Sequence, residues 1–219
     1  MTEILPATDA RAIDRAVALL ERGDVVVLPT DTVYGIAASI ATASGIEKIY
    51  DVKARSRGKP VMIYVAGFEQ FRQVVVYVDE GTIGALRNIW PGAMAGIFLK
   101  NDEVVPDYVT AGIGAVAVRI PDNRLCRDLV ERVGHPVAMT SANVSGMVTH
   151  DTAQGVARQL GPQVPLVLDG GPSQRSEAST LVDFTGAAPR LLRSGALSVS
   201  RIRQFLPDLE WTSETEWTA

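Results

Sequence analysis

Short apolar runs that alternate with helical patterns limit the fold of this 219-residue chain more than any other feature. Asp24–Pro29 contains four consecutive apolar residues, the pattern of a strand that is covered on both faces. Before it, Ile13, Val17 and Leu20 recur at helical spacing until Gly23. Further strand candidates are 61–65, 93–99, 115–119, 136–140, 165–168, 180–183 and 189–193. The alternation predicts an α/β fold in which helices flank one twisted, mixed sheet.

The size of the chain, 23.4 kDa, suits one well-filled core. We expect a single domain over residues 4–205 and an acidic, aperiodic tail over 206–219. The single Cys126 excludes an internal disulfide, and two histidines are too few for a Cys/His zinc cluster, so no metal site is expected. We find neither a leader-like N-terminus nor an apolar run of membrane-spanning length, which predicts a cytoplasmic protein without membrane contact.

The segment from Lys53 to Lys59 concentrates positive charge in a chain whose formal net charge is −4. It contains Arg55 and Arg57, and no Asp or Glu occurs from Val52 to Phe68. Arginine offers a planar fork and lysine a point charge to phosphate oxygens. The segment therefore favours a phosphorylated ligand or a nucleic acid, and the alternative is a solvated basic surface.

Small polar residues follow several of the predicted strands. Thr30, Thr32 and Tyr34 leave the first strand, and Ser141 and Asn143 follow another. These residue types suit ribose or phosphate groups, and they are equally the ordinary residues of turns.

Two arginines, Arg119 and Arg193, end apolar strands. Such side chains either reach a bound anion or extend to water.

Several common catalytic motifs are missing. The sequence has no G-x-x-x-x-G-K-[ST] phosphate loop and no G-x-S-x-G elbow, and Gly112-Ile-Gly114 begins a dinucleotide fingerprint that lacks its last glycine. The familiar nucleotide-binding folds and the hydrolase triad are therefore disfavoured.

Taken together and in order, these segments resemble the YrdC family of L-threonylcarbamoyladenylate synthases from about Ile4 to about Phe205. The motifs that carry the resemblance are Pro29-Thr-Asp-Thr-Val-Tyr-Gly35, Lys53-x-Arg55, Lys59-Pro60, Trp90-Pro-Gly92, Val118-Arg-Ile-Pro121, Ser141-Ala-Asn-Val-Ser-Gly146, Ser179-Thr180 and Leu192-Arg-Ser-Gly195. The resemblance implies a YrdC-like α/β domain with a large, concave, positively lined site. It also implies a nucleotidyltransferase that converts L-threonine, bicarbonate and ATP to threonylcarbamoyl-AMP and pyrophosphate, for threonylcarbamoyladenosine formation on tRNA.

The resemblance further implies two sets of site residues, with Lys53 and Arg55 as the catalytic pair. The residues implied for ATP are Lys53, Arg55, Lys59, Ser141, Asn143, Thr149 and Arg193. Those implied for threonine are Thr32, Tyr34, Tyr64, Arg119, Met139 and Ser179. Mg²⁺ would arrive with ATP rather than in a protein cage. The product would pass to a tRNA threonylcarbamoyl transferase complex, and binding of tRNA or double-stranded RNA is a further expectation.

Four positions depart from the family pattern. They are the segments Ala93-Met-Ala-Gly96 and Arg175-Ser-Glu-Ala178 and the residues Thr140 and Tyr64. We expect such changes to alter affinity for threonine or bicarbonate.

Two alternatives remain open for the function. A non-catalytic RNA-binding module of the same fold is disfavoured, because aromatic residues make up 6% of the chain and none lies within the basic segment. A carbamoyl-transfer relative that acts on another acceptor is usually a larger, multidomain protein.

Overall fold

A computed structural model describes residues 2–173, 175 and 177–211. Over these residues the chain forms one sheet of eleven strands. The strands are β1 (Glu3–Pro6), β2 (Val25–Leu28), β3 (Gly35–Ser39), β4 (Met62–Tyr64), β5 (Met94–Leu99), β6 (Ala115–Arg119), β7 (Val137–Ser141), β8 (Leu166–Asp169), β9 (Thr180–Asp183), β10 (Arg190–Arg193) and β11 (Glu210–Trp211).

Helices connect many of these strands. They are α1 (Ala10–Glu21), α2 (Ala43–Lys53), α3 (Phe68–Val74), α4 (Glu80–Ile89), α5 (Asp107–Thr110), α6 (Arg124–Val133), α7 (Ala153–Leu160) and α8 (Val199–Arg203), with a 3₁₀ turn over Gly161–Gln163. Asp9 caps α1, because its side chain accepts from the backbone N–H of Arg11. Gly134 ends α6 in the left-handed conformation, with φ of 78°.

The sheet is mixed, with the order β1-β8-β2-β3-β7-β4-β6-β5-β9-β10-β11. In its centre β3 pairs antiparallel with β7, β7 antiparallel with β4, and β4 parallel with β6. The predicted fold class, an α/β domain with a mixed sheet and flanking helices, is confirmed.

Burial on both faces explains the continuous apolar sequence of β2. Val25 and Val27 pack into the larger core, and Val26 and Leu28 pack into a second core on the opposite face, under α1 and α6. Successive side chains of a strand point to opposite faces, so a strand between two cores has no polar position.

The face that carries the second core is only partly covered by helices. Tyr64 of β4 and Met139 of β7 lie on this face with the residues under α1 and α6. Beyond them Ala95, Ala117 and Leu181 form a small separate cluster. The sheet therefore presents an open surface between these clusters, where the polar ends of the central strands meet.

The structure adds three strands that the sequence did not indicate, namely β1, β3 and β11. It also changes the predicted tail. Leu206 and Leu209 are buried, and Glu210–Trp211 pairs with β10. Residues 206–211 therefore pack with the sheet. The rest of the predicted tail, 212–219, lies outside the described residues, as does Ser176 of the departing segment.

Over the described ranges, no helix is both long enough and apolar enough to cross a membrane.

Candidate functional site

A cleft of about 600 Å³ opens on the partly covered face of the sheet. Its walls are Thr32, Val33, Arg55, Pro60, Met62, Tyr64, Arg119, Met139, Thr140, Ser141, Ala178, Ser179 and Arg193. Eight of these residues belong to the predicted site, namely Thr32, Arg55, Tyr64, Arg119, Met139, Ser141, Ser179 and Arg193. The structure thus brings residues from both predicted ligand sets to one cavity.

Arg119 is held at one end of the cleft by four protein groups. Its Nη2 contacts Asp31 Oδ2 at 2.6 Å, and its Nε donates to the carbonyl of Gly92 at 2.9 Å. Its Nη1 donates to Thr32 Oγ1 at 3.1 Å and to the Tyr64 hydroxyl at 3.4 Å. Arg119 therefore forms an ion pair with a carboxylate of the chain itself, so its charge is already paired before any ligand binds.

The groups around this guanidinium are also fixed. Thr30 Oγ1 donates to the Val33 carbonyl at 2.7 Å and accepts from the backbone N–H of Thr32 at 3.0 Å. Burial raises the pKa of Tyr64, so its hydroxyl stays protonated. This end of the cleft is a hydrogen-bonded array of neutral hydroxyls around one paired arginine.

Arg55 and Arg193 line the cleft in a different state. Arg55 Nη2 donates to the Pro60 carbonyl at 2.9 Å, and its Nε is buried without a hydrogen-bond partner. Arg193 donates from Nη2 and Nε to the Ser179 carbonyl, at 3.0 and 3.3 Å. Burial lowers the pKa of both guanidinium groups. No carboxylate of the described residues forms a salt bridge with either one, so their charges are available to an anion.

Lys53 holds a loop and does not line the cleft. Its side chain is buried, with the residue 2% exposed. Its Nζ donates to the Ser141 carbonyl and, at 2.8 and 3.2 Å, to the carbonyl and Oδ1 of Asn143. Burial, with the nearby charge of Arg55, lowers the pKa of Lys53 to about 7. The Lys-x-Arg and Ser-x-Asn motifs are therefore directly bonded to each other.

Asn143 completes this loop. Its Oδ1 also accepts from the Ser141 hydroxyl at 2.6 Å, and its Nδ2 donates to the Met147 carbonyl at 2.6 Å. The backbone N–H of Ser145 donates to the Lys53 carbonyl at 2.8 Å. Ser141 reaches the cleft wall because this network fixes the turn after β7.

Three other predicted residues lie apart from the cleft walls. Tyr34 is fully buried, and its hydroxyl donates to the Gly171 carbonyl at 2.7 Å. Lys59 is exposed next to the lining residue Pro60, and Thr149 is half-buried beyond the loop.

The expectation that the basic segment lacks compensating acids is wrong for Arg57. Its guanidinium pairs with Glu47 and Asp51 on α2, each at 2.7 Å. Lys48 likewise pairs with Asp24 at 2.8 Å. The carboxylates come from earlier in the chain, so an acid-free interval in the sequence did not mean an unpaired surface.

Two glycines allow lining residues to sit where they do. A Cβ on Gly35 would lie 2.6 Å from Met139 Sδ, so this glycine makes room for the methionine side chain. A Cβ on Gly195 would lie 2.3 Å from the Ala178 carbonyl oxygen. The turn at Gly195 therefore packs directly against the backbone that precedes Ser179.

Asp31 is the main residue that sequence reasoning missed, because it was not among the candidate site residues although it pairs with Arg119. An acid between two threonines, directly after a buried strand, was the available signal. Its partner Arg119 is distant in sequence, and no local pattern joins them.

The fold and the cleft define an α/β protein with a polar cleft on the open face of a mixed sheet. In the comparison with family models, the Sua5/YciO/YrdC model, described as "Telomere recombination", matches residues 18–195. The chain belongs to this family, and the resemblance drawn from the motifs is confirmed.

Relatives match over most of the chain. A Mycobacterium tuberculosis relative is 36% identical over 210 residues, which cover 94% of this chain and 96% of the relative. The threonylcarbamoyl-AMP synthase of Bacillus subtilis is 33% identical, with 92% of this chain and 58% of that protein covered. The structure of Pyrococcus abyssi Sua5 complexed with L-threonine has a TM-score of 0.92 at 30% identity, over 96% of this chain and 63% of that one. The chain thus spans less than two thirds of these two longer relatives.

Proposed function

We propose that the chain is a threonylcarbamoyl-AMP synthase, which converts L-threonine, bicarbonate and ATP to threonylcarbamoyl-AMP and pyrophosphate. The observation that supports it most is the composition of this cleft. One end has a paired arginine among hydroxyls, suited to an amino acid. The cleft also has two arginines that pair with no carboxylate of the described residues, suited to a triphosphate. The names of the relatives and of the L-threonine complex agree with this assignment.

The chemistry requires no protein nucleophile. The amine of threonine attacks the carbon of bicarbonate, water leaves, and the nitrogen becomes a carbamate. A carbamate oxygen then attacks the α-phosphorus of ATP, and pyrophosphate leaves as the phosphoanhydride bond breaks. The protein contributes by holding both reactants close together and by stabilising the charge that develops on the phosphate oxygens.

The proposal gives each part of the cleft one task. Threonine contacts Arg119, Thr32, Tyr64, Ser179 and Met139. Tyr34 contributes indirectly, because its hydroxyl donates to the Gly171 carbonyl and so holds that turn in place. The groups for ATP are Arg55, Arg193 and Ser141 on the cleft wall and Lys59 and Thr149 beside it. Lys53 and Asn143 contribute by holding the loop that presents Ser141.

Magnesium would enter with the triphosphate. Among the described residues, no three His, Cys, Asp or Glu side chains gather into a metal site. When bound, Mg²⁺ neutralises phosphate charge, while Arg55 and Arg193 orient the nucleotide.

The proposal extends to the setting of the reaction. The reaction would take place in the cytoplasm, and the reactive product would pass to a tRNA threonylcarbamoyl transferase complex. Direct binding of tRNA or double-stranded RNA is the competing role for the same surface. Among the described residues, Tyr64 is the one aromatic side chain on the cleft wall, and at 7% exposed it offers little area for base stacking.

Pyrophosphate release tests the proposal. The full chain with Mg-ATP should release pyrophosphate only when L-threonine and bicarbonate are both present. Equal release when either is omitted contradicts the synthase assignment.

A pair of neighbouring variants tests the site. Arg55→Ala should lower turnover by about 10²- to 10³-fold, as loss of one preorganised donor does. Arg57→Ala is the matched control, because Arg57 lies in the same segment but pairs with α2, and it should stay near the wild-type rate. Equal rates for the two variants would remove Arg55 from the site.

A further inference from the structure

The cleft contains arginines in two electrostatic states. Arg119 contacts a carboxylate at 2.6 Å, and both side chains of this pair are at least nine-tenths buried. Arg55 and Arg193 donate only to backbone carbonyls among the described residues. A carbonyl contributes a dipole but no charge, so these two arginines keep their full positive charge, whereas the Arg119 pair is neutral overall.

Asp31 faces away from the cleft and towards a second cavity of about 740 Å³. It is 8% exposed; Oδ2 contacts Arg119, and Oδ1 is buried without a partner. A buried carboxylate is costly unless it is paired. Gly92 supplies one contact to Arg119 and also lines the second cavity, so the two cavities share a wall at this ion pair.

The hydrogen bonds of Arg119 leave it little capacity for a further anion. Four of its five N–H groups have partners in the fold. One N–H on Nη2 remains for the carboxylate of a ligand. Any ligand anion that takes this position also approaches the negative charge of Asp31, directly behind the guanidinium.

We propose that Asp31 determines the ligand specificity of this end of the cleft: by neutralising Arg119, it admits a zwitterionic amino acid and disfavours simple anions. A zwitterion brings its own ammonium group and so suffers less net repulsion from Asp31. Free carboxylates and phosphates lack that group and are directed to Arg55 and Arg193. This inference rests on the proposed function, since it assigns the amino acid to the Arg119 end.

Calorimetric titration of two ligands into the full chain tests the proposal. The ligands are L-threonine and 3-hydroxybutanoate, which is threonine without its amino group. Wild-type protein should bind 3-hydroxybutanoate at least about tenfold more weakly than L-threonine. Asp31→Asn keeps the shape and one acceptor of the side chain but removes its charge. The dissociation constant for 3-hydroxybutanoate divided by that for L-threonine should therefore fall by about tenfold.

Two further variants control the measurement. Asp122→Asn removes the other carboxylate of the second cavity, which contacts Arg127 instead of Arg119, and it should leave the ratio unchanged. Asp31→Glu keeps the negative charge and should retain selectivity closer to wild type than Asp31→Asn does. Thermal unfolding of each variant establishes that it is folded.

The outcomes separate this proposal from the synthase assignment. Wild-type binding of both ligands with equal affinity, or an unchanged ratio in folded Asp31→Asn, overturns the role of Asp31 while the synthase activity stands. If Asp31→Asn does not fold, the wild-type ratio still tests the proposal, because equal affinity for the two ligands overturns it. Absence of L-threonine binding to wild type, together with threonine-independent pyrophosphate release, overturns the proposed function itself.

Discussion

Replacement of Lys53 by methionine tests whether the buried ammonium group stabilises the loop after β7. Methionine retains much of the apolar stem of lysine but removes all three N–H donors. Ser141 O keeps a bond from the backbone N–H of Asn143, and Asn143 Oδ1 keeps the Ser141 hydroxyl. The Asn143 carbonyl loses the donor that Lys53 supplies at 2.8 Å.

The magnitude follows from these losses. One buried acceptor left without a donor costs about 1–3 kcal/mol, and two weakened contacts add to that. Removal of a charge from the interior offsets part of the loss, since burial lowers the pKa of Lys53 to about 7. We therefore expect the free energy of unfolding at pH 7 to fall by about 2 kcal/mol.

Urea unfolding followed by circular dichroism measures this difference, with an unchanged m-value indicating the same two states. Amide hydrogen exchange should also become faster over residues 141–147. Lys59→Met is the control, because Lys59 is exposed, and it should change stability by less than about 0.5 kcal/mol. If Lys53→Met matches wild type in both stability and loop exchange, the loop-holding role is refuted.

Three more outcomes are expected. The pKa of Lys53, about 7 in the fold against 10.5 for an ordinary lysine, means that the unfolded chain binds more protons above pH 7. The free energy of unfolding of the wild type should therefore rise relative to that of Lys53→Met between pH 7 and 9, by up to about 1.4 kcal/mol per pH unit. Urea unfolding at each pH measures both values, and curves of free energy against pH that run parallel for the two proteins would contradict this. Gly195→Ala should raise the KM for threonine severalfold, because the new methyl group displaces the backbone at Ala178. Gly84→Ala is the control, because its methyl group meets no neighbour and should leave the KM unchanged. Equal KM values for the two variants would show that the turn at Gly195 adapts. Burial raises the pKa of Cys126 to about 12, so the native thiol should react with iodoacetamide far more slowly than the urea-unfolded chain, and rapid native labelling would show access to the core.

The strands with continuous apolar sequence were predictable because burial on both faces leaves no polar position, as in β2. The strand β3, Gly35-Ile-Ala-Ala-Ser39, was not, because small residues have little intrinsic strand preference. Its conformation is imposed by pairing with β2 on one side and β7 on the other. The sheet context, rather than local propensity, decides this strand.

The site residues divide in the same way into those that the local sequence predicts and those whose positions depend on contacts distant in sequence. Arg119, Arg193 and Ser141, each the last residue of its strand, were visible as polar residues where apolar runs stop. The burial of Lys53 was not visible, because its acceptors lie 88 and 90 residues further along the chain. Pairing of Arg119 with Asp31, 88 residues away, likewise depends on contacts that only the folded chain brings together.

The order of the central strands links ligand binding to the integrity of the whole sheet. Tyr64, Arg119 and Met139 come from adjacent strands β4, β6 and β7 that are far apart in sequence, so the cleft exists only after these long-range pairings have formed. A ligand that binds only this assembled state lowers the population of every opened form. Supply of the amino acid and the nucleotide would then set how long each molecule of the protein survives proteolysis, as well as how fast it turns over.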